Sequence, residues 1–181
     1  MALKSTVIKA DVQISNMDIN YYAQHSLTLA QHPSETDERL MLRVLAFMLH
    51  ASDSLEFGKG LSNEEEPDLW RKAYTDEIEL LIELGQPDES RIRKACAKAK
   101  QVVVINYGGR AADIWWDKVA NSLQRFRNLT VLDIPEDTVQ QLTGLLQRGM
   151  RLQALIQDGE LQLMDGETSV AIRPVVRMSA T

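Results

Sequence analysis

The chain has one cysteine, three histidines and five prolines in 181 residues, with only 6% aromatics. Each shortage excludes something. A single Cys96 cannot form an internal disulfide. It lies between Ala95 and Ala97 in a helical pattern and reads as a small buried hydrophobe with no redox role. His25, His32 and His50 lack metal-ligand spacing, and no Ser/His/Asp arrangement can be argued from the order of residues. No apolar run approaches the roughly 20 residues of a membrane span, and Met1-Ala2-Leu3-Lys4 lacks the apolar segment of a secretory signal. The expectation is a soluble cytoplasmic protein without a membrane partner. No repeat, low-complexity tract or linker interrupts the chain, so residues 1–181 are expected to form a single domain, with a monomer favoured. The net charge of −6 argues against a strong non-specific grip on nucleic acid, yet leaves room for a local basic face that binds it.

The periodicities predict an α/β fold. Thr6, Ile8, Ala10, Val12 and Ile14 alternate with polar neighbours as a half-buried strand, and Tyr22 to His32 can return antiparallel through Asn16, Asp18 and Asn20. A helix is expected from Glu35 to Ala51, capped by Ser34, with Leu42, Leu45 and Leu49 as its buried stripe. Beyond a central hairpin, a helix from Pro87-Asp88 to Lys100 precedes the strand Gln101 to Asn106. Ala111 to Ser122, Leu129 to Ile134 and Glu136 to Gln147 then read as helix, strand and helix. This alternation implies parallel pairing. Asp158-Gly159 and Asp165-Gly166 mark the turns of a three-stranded meander from Met150 to Arg173.

The central hairpin carries the chemistry. If the flanks of Thr75-Asp76 pair symmetrically, Asp68 falls opposite Glu83, Trp70 opposite Leu81, Lys72 opposite Glu79, Leu69 opposite Ile82 and Ala73 opposite Ile78. Directly opposed residues lie about 5 Å apart at Cβ, and like charges there repel. Either both carboxylates are simply solvated, or a cation sits between them. Mg²⁺ and Mn²⁺ suit such oxygen ligands. The apolar character of Ile78, Leu80, Ile82 and Leu84 favours a central strand and a placed carboxylate. Stepping back from Leu49 by three and four residues reaches Glu38 and Glu35, which points both toward the sheet. A first-turn Glu usually complements the helix dipole, so Glu38, one turn deeper, is the first choice. With Asp68 and Glu83 it makes a three-carboxylate cluster able to position a metal that activates water against a phosphodiester.

Pro67-Asp68, Glu83-x-Gly85 and Glu38 resemble a variant of the PD-(D/E)XK nuclease core. The start Met1-Ala2-Leu3-Lys4, the segment His32-Pro33-Ser34-Glu35-Thr36-x-Glu38-Arg39 and the run Ile82-Glu83-Leu84-Gly85-x-Pro87-Asp88-Glu89 resemble the bacterial YaeQ family. So do Arg110-Ala111-Ala112-x-Ile114-Trp115-Trp116 and Leu152-Gln153-Ala154-x-Ile156-Gln157-Asp158-Gly159. The resemblance covers essentially the whole chain. It implies a mixed central sheet flanked by helices, with a restriction-endonuclease-like core and additional antiparallel strands.

One departure matters. The nuclease pattern has Lys two residues after the strand glutamate, and this chain has Gly85. That lysine orients or deprotonates the attacking water. Lys94 is the candidate replacement, because Arg91, Lys94 and Lys98 share one face of the following helix; a merely solvated basic face accounts for them equally well. Lys72 is expected to pair with Glu79. Tyr107-Gly108-Gly109-Arg110 can hold a phosphate at a helix N-terminus or simply make a tight turn. Trp115-Trp116 reads as core and interface, and Glu64-Glu65-Glu66 as a solvated loop. Two functions follow: a Mg²⁺- or Mn²⁺-dependent nuclease using Glu38, Asp68, Glu83 and Lys94, with Glu35 as a further metal ligand, or a catalytically inactive nuclease fold that binds nucleic acid or protein as a regulatory factor.

Overall fold

The structure is a computed structural model that describes residues 4–59 and 65–181. Among the described residues, four helices and eleven strands form an α/β fold whose strands divide between two mixed sheets, where the sequence led us to expect one central sheet. The chain forms two compact units, one of residues up to 51 with Asp137–Pro174 and one of Ser52–Glu136 with Val175–Thr181. Among the described residues no helix is long and apolar enough to cross a membrane.

In the first unit, β1 (Thr6–Asn16) pairs antiparallel with β2 (Tyr21–Gln31) and parallel with β8 (Gly149–Gln157). β9 (Glu160–Met164) and β10 (Ser169–Ile172) complete the expected meander. Ile8, Ala10, Val12 and Ile14 are all at most 3% exposed while their neighbours face solvent, the period of two that the sequence spells out. The helix α1 spans Asp37–Leu49 and is capped by Thr36, whose side chain accepts the Arg39 N–H, so Ser34 is not the cap. Its burial is not a stripe either. All nine residues from Leu40 to Met48 are buried, because that stretch is apolar apart from Arg43, and a helix apolar all round is a buried one.

The second unit is built on the strand order β11-β7-β6-β5-β4-β3. β5 (Ile78–Leu84), β6 (Ala99–Asn106) and β7 (Leu129–Asp133) run parallel, joined by helices α2 (Glu89–Lys98) and α3 (Arg110–Leu123). On one face Leu81, Val102, Val104, Leu129 and Val131 pack with Ile92, Ala95, Val119 and Leu123 of those helices. Burying each of these Val, Leu and Ile side chains contributes about 1.5–3 kcal/mol. The short strands β3 (Leu55–Phe57) and β11 (Val175–Met178) escaped the sequence reading, being only 3 and 4 residues long. The helix α4 (Glu136–Thr143) ends a turn earlier than its pattern implies.

Candidate functional site

β4 (Leu69–Lys72) and β5 set the register of the central hairpin. Leu69 pairs with Ile82 and Trp70 with Leu81, as symmetry requires. An irregularity between Arg71 and Lys72 then brings Lys72 opposite Ile78. The expected Lys72–Glu79 and Ala73–Ile78 pairings are therefore wrong, because one extra residue enters the ladder there. Glu79 instead accepts from Arg71 at 3.1 Å, and the Lys72 ammonium sits 3.8 Å over the Trp70 ring.

Asp68 immediately precedes β4 and is 5% exposed; Glu83, near the end of β5, is 6% exposed. The Asp68 N–H donates to the Ile82 carbonyl at 3.2 Å, while its Oδ2 accepts the Leu84 N–H at 2.8 Å. Asp68 thus reaches the amide next to Glu83. Glu83 Oε1 accepts from Arg91 Nε at 2.9 Å, and Arg91 also donates to the Glu66 carbonyl at 3.1 Å. The helix α2 starts at this point because the Asp88 side chain caps it, accepting the Arg91 N–H at 2.8 Å. Trp115 Nε1 holds the preceding turn through the Pro87 carbonyl at 2.9 Å.

Beside Glu83, though not lined by Asp68, lies a cleft of about 560 Å³ to which Asp88, Ser90, Arg91, Lys94 and Lys98 contribute among others. The helical spacing of Arg91, Lys94 and Lys98 does place all three on one wall. What the sequence reading missed is that Arg91 reaches Glu83. No local signal encodes that ion pair, which depends on how α2 returns over β5. Of the acidic run, Glu64 lies outside the described residues, as do the opening residues 1–3; Glu65 lines the cleft and Glu66 accepts the Lys59 N–H at 2.9 Å.

Gly85 adopts φ +88°, in the left-handed region that favours glycine. The position where the nuclease pattern has lysine is thus shaped here for a residue without a side chain. Gly109 also has positive φ, and a Cβ on it would collide with the Glu136 carboxylate. The start of α3 therefore already has a carboxylate against it. Trp115 and Trp116 are both partly buried against the core of their unit.

In the first unit Glu35 precedes the cap of α1 and is 7% exposed. Its carboxylate accepts from Arg43 through two atoms, Nη2 to Oε1 at 2.6 Å and Nε to Oε2 at 3.0 Å, and from Arg39 at 3.3 Å. Glu38, preferred from the sequence, lies in the first turn of α1 and is only half-buried. The more deeply placed glutamate is Glu35, with two arginines as partners. Among the described residues no group of three or more His, Cys, Asp or Glu side chains is arranged to hold a metal ion.

Comparison with known proteins places the chain. The family model described as YaeQ protein matches residues 1–174. The chain is 44% identical over 173 residues to the uncharacterized protein YaeQ of Salmonella typhi, covering 96% of each chain. It is 42% identical over 172 residues to the protein of the same name from Escherichia coli (strain K12), covering 95% of each. The crystal structure of the YaeQ protein from Xanthomonas axonopodis pv. citri superposes with a TM-score of 0.94 at 57% identity, over 97% of this chain and 99% of that one. That of the Pseudomonas syringae YaeQ protein gives 0.92 at 28% identity, over 97% of each. With the family model matching residues 1–174 and relatives more than 40% identical over nearly the whole chain, the chain belongs to the YaeQ protein family.

Proposed function

We propose that the cleft on α2 binds a phosphodiester and, with Mg²⁺ or Mn²⁺, hydrolyses it, as a variant of the PD-(D/E)XK nuclease core. The observation that carries this reading is the cleft itself: a buried strand carboxylate, Glu83, shares it with Arg91, Lys94 and Lys98, and a second buried carboxylate, Asp68, is fixed at the neighbouring amide. Two carboxylates fit Mg²⁺ in its usual mode, in which water and substrate phosphate complete the coordination. The metal would supply Lewis acidity and an activated water. Asp68 and Glu83 would hold it, and Arg91 would leave Glu83 as it enters. Lys94 and Lys98 would neutralise the phosphate, with Lys94 taking the charge-stabilising role for which Gly85 has no side chain.

The test is cleavage of single- and double-stranded DNA and RNA by purified protein with Mg²⁺ and with Mn²⁺. Glu83→Gln should abolish cleavage while leaving the circular dichroism spectrum unchanged, and Lys94→Ala should lower it by about 10²-fold. Arg91→Met removes the cation that competes with the metal, so it should enlarge the rise in Tm produced by Mn²⁺. No cleavage of any substrate, or cleavage indifferent to Glu83→Gln, would end the catalytic reading.

The Arg91–Glu83 ion pair and the backbone at Gly85 favour a second reading, in which the same wall binds nucleic acid or an acidic protein without hydrolysis. Binding lost on Lys94→Ala and indifferent to metal would support it.

A further inference from the structure

An open sheet ends in edge strands, whose outward N–H and C=O groups pair with another chain unless the edge is short, charged, bulged or covered. Three of the edges here are short. Strands β3, β10 and β11 have 3, 4 and 4 residues, and a register shift interrupts β11. The edge strand β2 is 11 residues long, and its register against β1 runs without a shift from Tyr21 to Gln31. It contains no Asp, Glu, Lys, Arg or Pro. No charge, proline or bulge protects it.

The parity of the ladder places the open groups. The Lys9 N–H donates to the Arg148 carbonyl, at the head of β8, at 2.8 Å, so odd-numbered residues of β1 turn their backbone groups toward β8 and even-numbered ones toward β2. Ala10, Val12 and Ile14 stand opposite Leu27, His25 and Ala23, which take those bonds. Tyr22, Gln24, Ser26, Thr28 and Ala30 therefore point theirs away from the sheet, and all five residues are exposed. Arg43 Nη2 donates to the Ala30 carbonyl at 3.0 Å and closes that end. Among the described residues, the N–H and C=O of Tyr22, Gln24, Ser26 and Thr28 have no partner on this edge.

We propose that β2 pairs antiparallel with β2 of a second copy of this chain, about a two-fold axis normal to the sheet at His25, in place of the monomer expected from the sequence. The four open residues fix that axis. It sets Tyr22 opposite the copy's Thr28 and Gln24 opposite the copy's Ser26, so every open N–H meets an open C=O. The surface is self-complementary, as a two-fold interface requires, and no acidic or basic side chain of β2 meets its like across it. Tyr22, 61% exposed, gains a cross-strand neighbour. A second β2 suits this edge better than a free extended peptide, because its ladder to β1 already holds it straight, whereas a peptide loses backbone entropy at every residue it orders. The pairing does not depend on hydrolysis at the cleft on α2.

Sedimentation velocity from micromolar to millimolar protein tests it: the mass should pass from one chain to two. Ser26→Pro removes only an outward N–H that β1 does not use, so it should raise the dimer dissociation constant by about tenfold or more while keeping the circular dichroism spectrum. Should that variant fail to fold, cysteines read the register instead. In a Cys96→Ala background, His25→Cys places two thiols across the axis, about 4.5 Å apart at Cα and within disulfide reach, so mild oxidation should link the chains. Thr28→Cys lies about 20 Å from its counterpart and should not link them. The proposal is overturned by a one-chain mass at every concentration, which would leave the edge to another occupant, by dimerisation unchanged in folded Ser26→Pro, or by linkage at Thr28→Cys as fast as at His25→Cys.

Discussion

The Asp68 carboxylate accepts the Leu84 backbone N–H at 2.8 Å, which ties the entry of β4 to the end of β5 across sixteen positions of chain. Both residues are buried. The bond gives Asp68 a structural task that is separable from metal binding. Asp68→Asn retains an acceptor oxygen and should cost about 1 kcal/mol; Asp68→Ala leaves the Leu84 amide unpaired and should cost about 1–3 kcal/mol. Urea unfolding distinguishes them. Equal stability of wild type and Asp68→Ala would mean that the bond contributes nothing.

Arg43 is 3% exposed inside the otherwise apolar stretch Leu40–Met48 of α1 and is held by Glu35. Removing one partner of a buried pair leaves the other charge desolvated and under-paired; Arg39 still reaches Glu35 at 3.3 Å, so Arg43→Met should destabilise by about 3 kcal/mol, the low end of the range for a fully stranded charge. Adding Glu35→Gln should recover part of that loss, because the under-paired buried carboxylate is gone. A double-mutant cycle read by urea unfolding measures the coupling; additive losses would rule out the pair as the cause.

Burial pushes the Cys96 thiol from its usual 9.0 up to about 11. Two pH units of thiolate suppression should slow alkylation by iodoacetamide at pH 8 by about a hundredfold relative to an unfolded control. The sign for stability follows. Below pH 9 both states keep the proton and the group contributes nothing. Between 9 and 11 the unfolded thiol ionises first, so stability should fall as pH rises through that window. Cys96→Ala should flatten that part of the profile measured by urea unfolding.

At Gly85, restoring the lysine of the nuclease pattern should fail. The φ of +88° costs an L-residue about 1–2 kcal/mol, although a Cβ there meets only Tyr107 at an ordinary 3.8 Å. Gly85→Lys should therefore fold with reduced stability in urea. A gain in cleavage would show that the backbone accommodates the lysine after all.

The sequence by itself determined the elements whose period is local. The alternation of Ile8 through Ile14, the turn glycines Gly159 and Gly166 at φ +75° and +99°, and the shared face of Arg91, Lys94 and Lys98 follow from residue spacing alone. The family was legible too, because its motifs run along the chain. The tertiary structure decided what depends on which segments meet. It divided the strands into two sheets, added β11 beside β7, and let an extra residue on β5, Glu79, opposite the step from Arg71 to Lys72, break the symmetric hairpin. It also assigned partners to the charges: Glu83 to Arg91, Glu35 to Arg43, and one oxygen of Asp133 to Arg177. Spacing can give the face a charged side chain occupies. Which opposite charge waits across that face depends on long-range packing, because desolvated charges must be matched wherever the fold buries them.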